Sequence, residues 1–471
     1  MTPTSVAANM PNVGWLLGVW SLGGGIAFVG AVCFAELTTT YPDRGGDYGY
    51  LKRAYGGPVG FAFAWTAFWV IRPGNIGAMA IVFGQFATGF LPGTGFQLAS
   101  LAVLLTSCLN MCGVQAGKVA QNVLAVVKVV GLLLILVAAL LFRPVDMTGP
   151  VDMTGSVDMT GPADATASVG EFSAKADDVK AVETLQSACD VVAGAEQTDA
   201  VKTNEWFWIS MVLVMFAFGG WNDIAFVARE TKQPERNLLP ALMLGTGTVL
   251  VIYLLVNLAL LYGLGFENLQ ELAATDNQNG PQVLATKSFG MVGESILSVA
   301  VCVSCLGAIS AMIFTSPRIY WAAANDDSRL QWLIGDQNRA WLAIAVQALV
   351  TLSLMAAFSQ TDQGFDAIVI ACAPYFWLFL ALTVSSLVVN RVRYRGKYAG
   401  FRVPLYPLPP LVFIGACAFM TFRSFDYMAY KQLHVQAAVI GGWVVLGLLI
   451  GFFLGWTRRP SDVVAPDATD E

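Results

Sequence analysis

The sequence predicts an all-α integral membrane protein with about eleven membrane-spanning helices. Hydrophobic residues make up 56% of the chain and charged residues 12%, which is about half the charged share of soluble proteins. The apolar residues are collected into about eleven runs, and each run is close to the ~20 residues that a helix needs to cross a bilayer. These observations indicate a protein that crosses the membrane many times.

Residues 1–12 are polar, and the first span follows at Val13–Leu37. Six glycines in this span predict close packing against neighbouring helices. After a charged loop at 38–57, the second span runs from Phe61 to Phe90, and the sequence Arg72–Asn75 in its middle includes a proline that predicts a disrupted helix. The remaining spans are predicted at 96–112, 122–142, 206–228, 239–264, 291–313, 340–358, 366–389, 408–424 and 436–456.

The distribution of basic residues predicts the orientation. Loops on one side hold 17 lysines and arginines, and those on the other side hold seven. Basic loops face the cytoplasm, so we expect a cytoplasmic C-terminus and an extracytoplasmic segment 143–203, in a plasma (inner) membrane. That segment is acidic and opens with hexapeptide repeats (PVDMTG twice, then SVDMTG and PADATA), a composition that does not fold alone. It is either a metal- or partner-binding loop or a tolerated repeat expansion, and a weak helix is predicted at 177–195.

Several classes of function are excluded by composition. His434 is the only histidine, which excludes histidine-cluster metal sites and argues against histidine-based catalysis. The cysteine pairs Cys108/Cys112 and Cys302/Cys305 have metal-like spacing, but apolar surroundings favour small buried side chains over ligands. No basic patch suggests nucleic acid, and no cofactor or metal is predicted. An intramembrane enzyme would need a catalytic constellation that the sequence does not show.

The stretch Phe216–Asn237 (FAFGGWNDIAFVARETKQPERN) carries the strongest functional signal. Gly219 and Gly220 interrupt an apolar run, and a broken helix is tolerated in lipid only where it is buried in protein or lines a cavity. Asn222 and Asp223 follow at membrane depth, and the free backbone groups of such a break can bind a zwitterion. The alternative is a glycine kink for packing, with Asp223 among the lipid headgroups.

Six stretches resemble the amino acid–polyamine–organocation superfamily, in particular its L-type amino acid transporter branch. They are CFAELTTTYPDRGGDYGYLKRAYG (33–56), WVIRPGNIGA (69–78), QNVLAVVKVVGLLL (121–134), FAFGGWNDIAFVARETKQPERNLLPAL (216–242), SPRIYWAAANDD (316–327) and RVPLYPLPP (402–410). The resemblance implies the five-plus-five inverted-repeat (LeuT-type) fold and amino acid uptake or exchange by alternating access. It divides the chain into an incomplete first repeat (1–142, family helices 2–5), the insert 143–203, a second repeat (204–389, helices 6–10), two further helices (390–457) and a cytoplasmic tail (458–471).

The same resemblance implies roles for individual residues. Phe216 matches the aromatic residue that closes over the substrate, and Ala217, Phe218 and Gly219 match the unwound segment whose carbonyls hold the substrate amino group. Other positions expected at the pocket are Trp221, Asn222, Asn75 and Ser310, with an aromatic trio at 375–377 as pocket or packing residues. For coupling and gating we expect Lys128, Asp223, Glu36 and Arg72.

The sequence leaves two interpretations open for each of three coupling and gating residues. Lys128 matches the lysine that replaces a sodium ion in sodium-independent members, and it lies alone in an apolar span, where the alternative is a side chain that snorkels to the headgroups. Arg72 could equally be a structural ion-pair partner. Glu36 is expected in the inner-gate polar network, with a helix-end charge as the alternative.

One departure from the family pattern affects the site. The family's first helix, with the break that holds the substrate carboxylate, has no counterpart before the span at Val13–Leu37. We expect either a true start upstream or a truncated, inactive relative. The leading hypothesis is a sodium-independent amino acid transporter that works by exchange or proton coupling in the lipid bilayer. The alternative is a non-transporting sensor or assembly partner; the particular amino acid, the counter-substrate and the oligomeric state are not assigned.

Overall fold

The computed structural model describes residues 2–42, 45–111, 207–228, 231–274, 279–326, 340–358, 364–393, 401–430 and 434–453. All regular structure within these residues is helical, as the sequence predicts. Nine helices in the described segments are long and apolar enough to cross a membrane. The predicted span 122–142, Lys128, the insert 143–203 with its predicted helix, and the tail 458–471 lie outside the described residues.

The first part of the chain forms six helices. They are α1 (Thr2–Ala8), α2 (Val13–Thr40), α3 (Asp47–Tyr55), α4 (Gly57–Thr66), α5 (Arg72–Ala87) and α6 (Gly95–Met111), with a π-helical turn at Ala67–Ile71 between α4 and α5. The predicted charged loop 38–57 therefore contains a helix, α3. Residues 1–12 likewise contain α1, which packs against a later helix, α10 (Phe266–Ala274).

The second part begins with helix α7 (207–217), followed by a 3-10 turn at Trp221–Asp223 and the short helix α8 (Ile224–Val227). The longer helices are α9 (Pro234–Leu264), α11 (Gly280–Asp326), α12 (Ala340–Phe358), α13 (Gly364–Arg393), α14 (Leu408–Tyr430) and α15 (His434–Phe453). Helix α11 is longer than the predicted span 291–313 at both ends: it continues to Asp326, and a helical segment precedes Gly290, where φ is 63° and the axis bends. The predicted start of this span, residue 291, coincides with that bend.

Helices from both parts of the chain pack together. Helix α2 lies along α9 and contacts α14, and α5 contacts α6, α11 and α13. The close approach predicted for α2 is confirmed at Gly24 and Gly30. A Cβ atom on Gly24 would lie 2.3 Å from Leu250 Cδ1, and one on Gly30 would lie 2.3 Å from Phe413 Cε2. Glycine at these two positions lets α9 and α14 touch the backbone of α2.

The second span is disrupted where the sequence predicts. Proline at position 73 has no backbone N–H and cannot continue the regular hydrogen-bond pattern into the preceding turn. The chain widens into the π-helical turn Ala67–Ile71 immediately before it. The Cys372 thiol on α13 donates to the carbonyl oxygen of Val70 at 3.6 Å, which supplies a partner within this irregular turn. Helix α5 then carries Arg72 and Asn75 at mid-span depth.

Candidate functional site

A cavity of about 710 Å³ lies where α5, α11, α13 and the broken helix α7–α8 meet. This volume is within the range of small-molecule sites in proteins. Its walls are mostly apolar, and six of the larger lining side chains are Phe63, Met79, Met312, Phe376, Trp377 and Leu380. Its polar lining side chains include those of Asn75 and Asn222, and a few such groups fix the orientation of a small ligand in many binding sites.

The break in the α7–α8 helix opens onto this cavity. Helix α7 ends at residue 217, and the chain turns through Gly219 and Gly220 before helical structure resumes at Trp221–Asp223. Gly220 has a φ of 102°, in the left-handed region that favours glycine. Phe216, Ala217, Gly219 and Gly220 all line the cavity. The glycine pair therefore interrupts a membrane-spanning helix at a cavity, which is the first of the two interpretations of this stretch.

A tyrosine from α9 braces the broken segment. The Tyr253 hydroxyl donates to the carbonyl oxygen of Ala217 at 3.0 Å. This carbonyl keeps a second lone pair for another donor. The Phe218 ring points away from the cavity into an aromatic cluster with Trp20 and Tyr253, at centroid distances of 6.1 and 5.0 Å. Most residues of the break thus line the cavity, and Phe218 packs into the protein core.

Arg72 and Asp223 form a bidentate ion pair across the cavity lining. Arg72 Nη1 donates to Asp223 Oδ2 at 2.8 Å, and Nη2 donates to Oδ1 at 2.7 Å. The Arg72 side chain is 7% exposed and that of Asp223 is 24% exposed. The guanidinium also lies 5.1 Å from the centroid of the Phe226 ring. Of the two interpretations of Arg72, the structure supports an ion-pair partner, and the pair itself borders the cavity.

Asp47, the first residue of α3, is a third charged group at the cavity. It is 4% exposed, and no described residue forms a hydrogen bond with its Oδ1 atom. Burial raises the pKa of Asp47 to about 8; the Asp223 carboxylate adds to this rise and the Arg72 guanidinium opposes it. Asp47 is not among the site residues predicted from the sequence. The glycines before it, Gly45 and Gly46, are the only local signal of its tight setting.

The predicted site residues fall into three groups. The first group lines the cavity: Phe216, Ala217, Gly219, Asn222, Asn75, Arg72 and Asp223. The second group lies outside the lining: Phe218, Trp221, Ser310 and Glu36. Lys128 lies outside the described residues. Among the aromatic trio at 375–377, Phe376 and Trp377 line the cavity and Tyr375 packs against Phe425 at 5.8 Å.

Residues of the second group have partners elsewhere. Trp221 packs edge-on against Phe34 and Phe413, at 5.1 and 5.8 Å. Ser310 on α11 accepts a hydrogen bond from Asn110 Nδ2 at 3.0 Å, and this bond ties α11 to α6. The expected contact between Ser310 and a ligand therefore has no support in this geometry, because the hydroxyl faces a neighbouring helix.

Glu36 joins three segments of the chain. Its carboxylate accepts from Arg391 Nε at 2.6 Å and from Arg391 Nη2, and it accepts from the backbone N–H of Val403 at 2.6 Å. The Arg391 guanidinium also stacks on the Tyr406 ring at 4.0 Å. The network connects the end of α2, the end of α13 and the segment before α14. Glu36 is thus a buried, fully engaged carboxylate rather than an isolated charge at a helix end.

The site has the chemistry of a small-molecule pocket, and within the described residues no group of three His, Cys, Asp or Glu side chains could hold a metal ion. Open backbone, the amides of Asn75 and Asn222, the Arg72–Asp223 ion pair and Asp47 supply polar groups at the lining, and most of the other lining side chains are apolar. This combination suits a ligand that has polar groups and an organic side chain.

Comparisons with known proteins agree with this geometry. Residues 1–450 match the family described as "Amino acid permease". The chain is 24% identical to mouse b(0,+)-type amino acid transporter 1 (98% of this chain, 86% of the relative) and 25% identical to the serine/threonine exchanger SteT of Bacillus subtilis (89% and 85%). It is 27% identical to mouse large neutral amino acids transporter small subunit 2 (98% and 78%). These relatives are transporters and not enzymes, and the chain belongs to the amino acid permease family.

Proposed function

We propose that this chain moves amino acids across a membrane by alternating access, without sodium, through exchange or proton coupling. The observation that carries the proposal is the interruption of a spanning helix at Gly219 and Gly220 beside a cavity of about 710 Å³. Relatives named as an exchanger and as amino acid transporters support the substrate class. The five-plus-five inverted repeat, with divisions at 1–142, 143–203 and 204–389, belongs to the same proposal.

In this proposal the amino end of the substrate binds the backbone of the broken segment. The carbonyls near Ala217 and Gly219 present partial negative charge to an ammonium group. Asn75 and Asn222 flank the segment and supply amide groups for orientation. The apolar wall that includes Met79, among others, then faces the substrate side chain.

The proposal also includes a setting in the membrane. The basic loops place the C-terminus in the cytoplasm and 143–203 outside, in a plasma membrane. Lys128 takes the place of a sodium ion, and Glu36 with Arg391 fixes the helix ends on the cytoplasmic side. The exchanged partner is a proton or a second amino acid.

Counterflow in proteoliposomes tests the transport proposal. Vesicles loaded with unlabelled amino acid should accumulate radiolabelled L-leucine, L-serine, L-threonine or L-arginine, with equal rates in sodium and potassium buffers. The variant Ala311→Phe places a phenyl ring in the cavity, so it should abolish the flux. The matched variant Ala418→Phe adds the same ring on the exposed face of α14 and should keep the flux. Binding of these amino acids with no counterflow would refute transport and favour a sensor.

A further inference from the structure

We propose that Asp47 is the group that carries a transported proton, binding it while the cavity is closed to water and releasing it on one side of the membrane. This inference rests on the proposed transport function and names the coupling group for it. It is independent of the lysine that the family resemblance offers for the same task. The observations that carry it are the position of Asp47, its neighbours and its free carboxylate oxygen.

Asp47 is held in place by its backbone. Gly46 has a φ of 52°, and a Cβ atom there would lie 2.6 Å from the Phe226 ring. A Cβ atom on Gly45 would lie 2.6 Å from Ala322 Cβ. The start of α3 is therefore wedged between α8 and α11, two elements that also line the cavity. A movement of either element would change the access of water to Asp47.

The charges at the cavity do not balance unless one group is neutral. Among the described lining residues, the charged types are Asp47, Arg72 and Asp223. Arg72 is already bound by both oxygens of Asp223, so its charge is neutralised by that partner. Asp47 is buried, so an ionised Asp47 would leave a surplus buried negative charge, which is costly. A protonated Asp47 leaves the cavity neutral.

Among the described residues, Arg72 is the cation whose charge acts on the Asp47 carboxylate. Helix α4 has no ionisable side chain, and α11 contributes Tyr320 near the Arg72 guanidinium and Arg318, which donates to the carbonyl of Phe314. From α13, Arg393 donates to the carbonyls of Arg53 and Ala54 at the far end of α3. Arg72 is thus the cation that Asp47 faces. Burial raises the pKa of Asp47 to about 8, so the proton is bound at neutral pH in this conformation.

The proton step is simple in bonding terms. An O–H bond forms between a carboxylate oxygen of Asp47 and a proton from water on one side. It breaks when α3 becomes accessible to water on the other side, where hydration favours the carboxylate and lowers its pKa. No other bond changes. A substrate with no net charge, such as L-leucine, moves as a zwitterion through the same neutral cavity, so each cycle would transfer one positive charge.

Proton-driven uptake and counterflow separate the coupling step from transport. The substrate is the amino acid that gives the highest counterflow among the four named above, and pyranine trapped inside the vesicles reports the internal pH. Wild-type vesicles should take up protons together with this substrate. The uptake rate should fall about tenfold between pH 6 and pH 9, because the protonated fraction of a carboxyl with a pKa of about 8 falls by that factor. Asp47→Asn should lose proton uptake and its pH profile, while counterflow persists. Asp426→Asn, an exposed carboxylate outside the cavity, should keep the wild-type profile.

The pH dependence of the melting temperature tests the same proton site and shows whether the variant is folded. The folded wild-type protein holds the Asp47 proton more tightly than the unfolded chain, so its melting temperature in detergent should fall as pH rises from about 4 to 8. Asp47→Asn should lose this dependence. An Asp47→Asn protein with wild-type proton uptake would overturn the inference, as would a folded variant that loses counterflow together with uptake. Wild-type counterflow with no proton movement would also overturn it and leave the transport proposal standing.

Discussion

Replacing Arg72 by methionine removes the one cation among the described residues at the cavity and keeps most of the side-chain volume. Asp223 then loses two hydrogen bonds of 2.7 and 2.8 Å, and it faces Asp47 without an intervening positive charge. Removing one member of a buried ion pair costs about 3–5 kcal/mol. Because the Asp223 side chain is 24% exposed, we expect the lower end of that range, about 3 kcal/mol.

Removing the negative partner, Asp223, should lower the free energy of unfolding by less than removing Arg72 does. In Asp223→Asn, the amide oxygen still accepts one hydrogen bond from Arg72, and Asp47 can ionise to supply the missing negative charge. We therefore expect a loss of about 1–2 kcal/mol, near the value of a single hydrogen bond to a charged group. The double variant Arg72→Met/Asp223→Asn removes both charges, so it should be more stable than Arg72→Met alone.

The assay is unfolding in mixed detergent micelles followed by tryptophan fluorescence. The matched control is Arg423→Met, because Arg423 and Asp426 form a pair whose side chains are 35% and 48% exposed. An exposed pair contributes about 0–1 kcal/mol, so this control should unfold nearly as the wild type does. The Arg72 guanidinium lowers the pKa of Asp47, so the cost of Arg72→Met should also grow as pH rises. Equal losses of unfolding free energy for Arg72→Met and Asp223→Asn would contradict the proposed charge balance at the cavity.

Three further predictions concern the helix break and the polar network. Gly220→Ala should lose about 1–2 kcal/mol of stability because its φ of 102° is strained for alanine, whereas Gly25→Ala, in open space on α2, should be neutral or stabilising in the same unfolding assay. Tyr253→Phe removes the brace on the broken segment, so KM in counterflow should rise while the protein keeps its fold, and an unchanged KM would argue against the brace. Glu36→Gln leaves Arg391, whose side chain is 17% exposed, without its carboxylate and should cost about 3 kcal/mol, seen as a lower melting temperature; a cost below ~1 kcal/mol would contradict the network.

The positions of the helices could be predicted from the sequence because hydrophobic runs of membrane length are a strong local signal. The break at Gly219 and Gly220 and the disruption near Pro73 are also local, since each follows from the conformational properties of the residues themselves. Helix α3 was missed because its nine residues are amphipathic and charged, and in a loop context such a segment does not stand out. The predicted span begins just after Gly290 for a different reason. A glycine indicates an interruption of the helix, but it does not indicate whether helix continues on the other side.

The partners of the site residues could not be predicted, because they depend on how the helices are rotated and paired. Arg72 and Asp223 are 151 positions apart, and Ser310 lies 200 positions from Asn110. Nothing local distinguishes a serine that faces a cavity from one that faces a neighbouring helix. The aromatic Phe218 was expected at the pocket with its neighbours, yet a turn at the glycine pair directs it into the core.

The charged residues at the cavity indicate that this region has a role beyond stabilising the fold. A buried ion pair is weak evidence for a stabilising contact, because apolar side chains of the same volume often give a more stable protein. Here Arg72 and Asp223 also lie where two spanning helices lose their regular hydrogen bonding, at Ala67–Ile71 and at Gly219–Gly220. Irregular backbone and buried charge each lower the stability of the fold, and here both occur beside the same cavity. The packing of α2 with α9 and α14, around Gly24 and Gly30, is different: glycine there brings helices into close contact, and the nearest side chains are apolar or aromatic. A protein that needed only to span the membrane could be built wholly from contacts of that second kind.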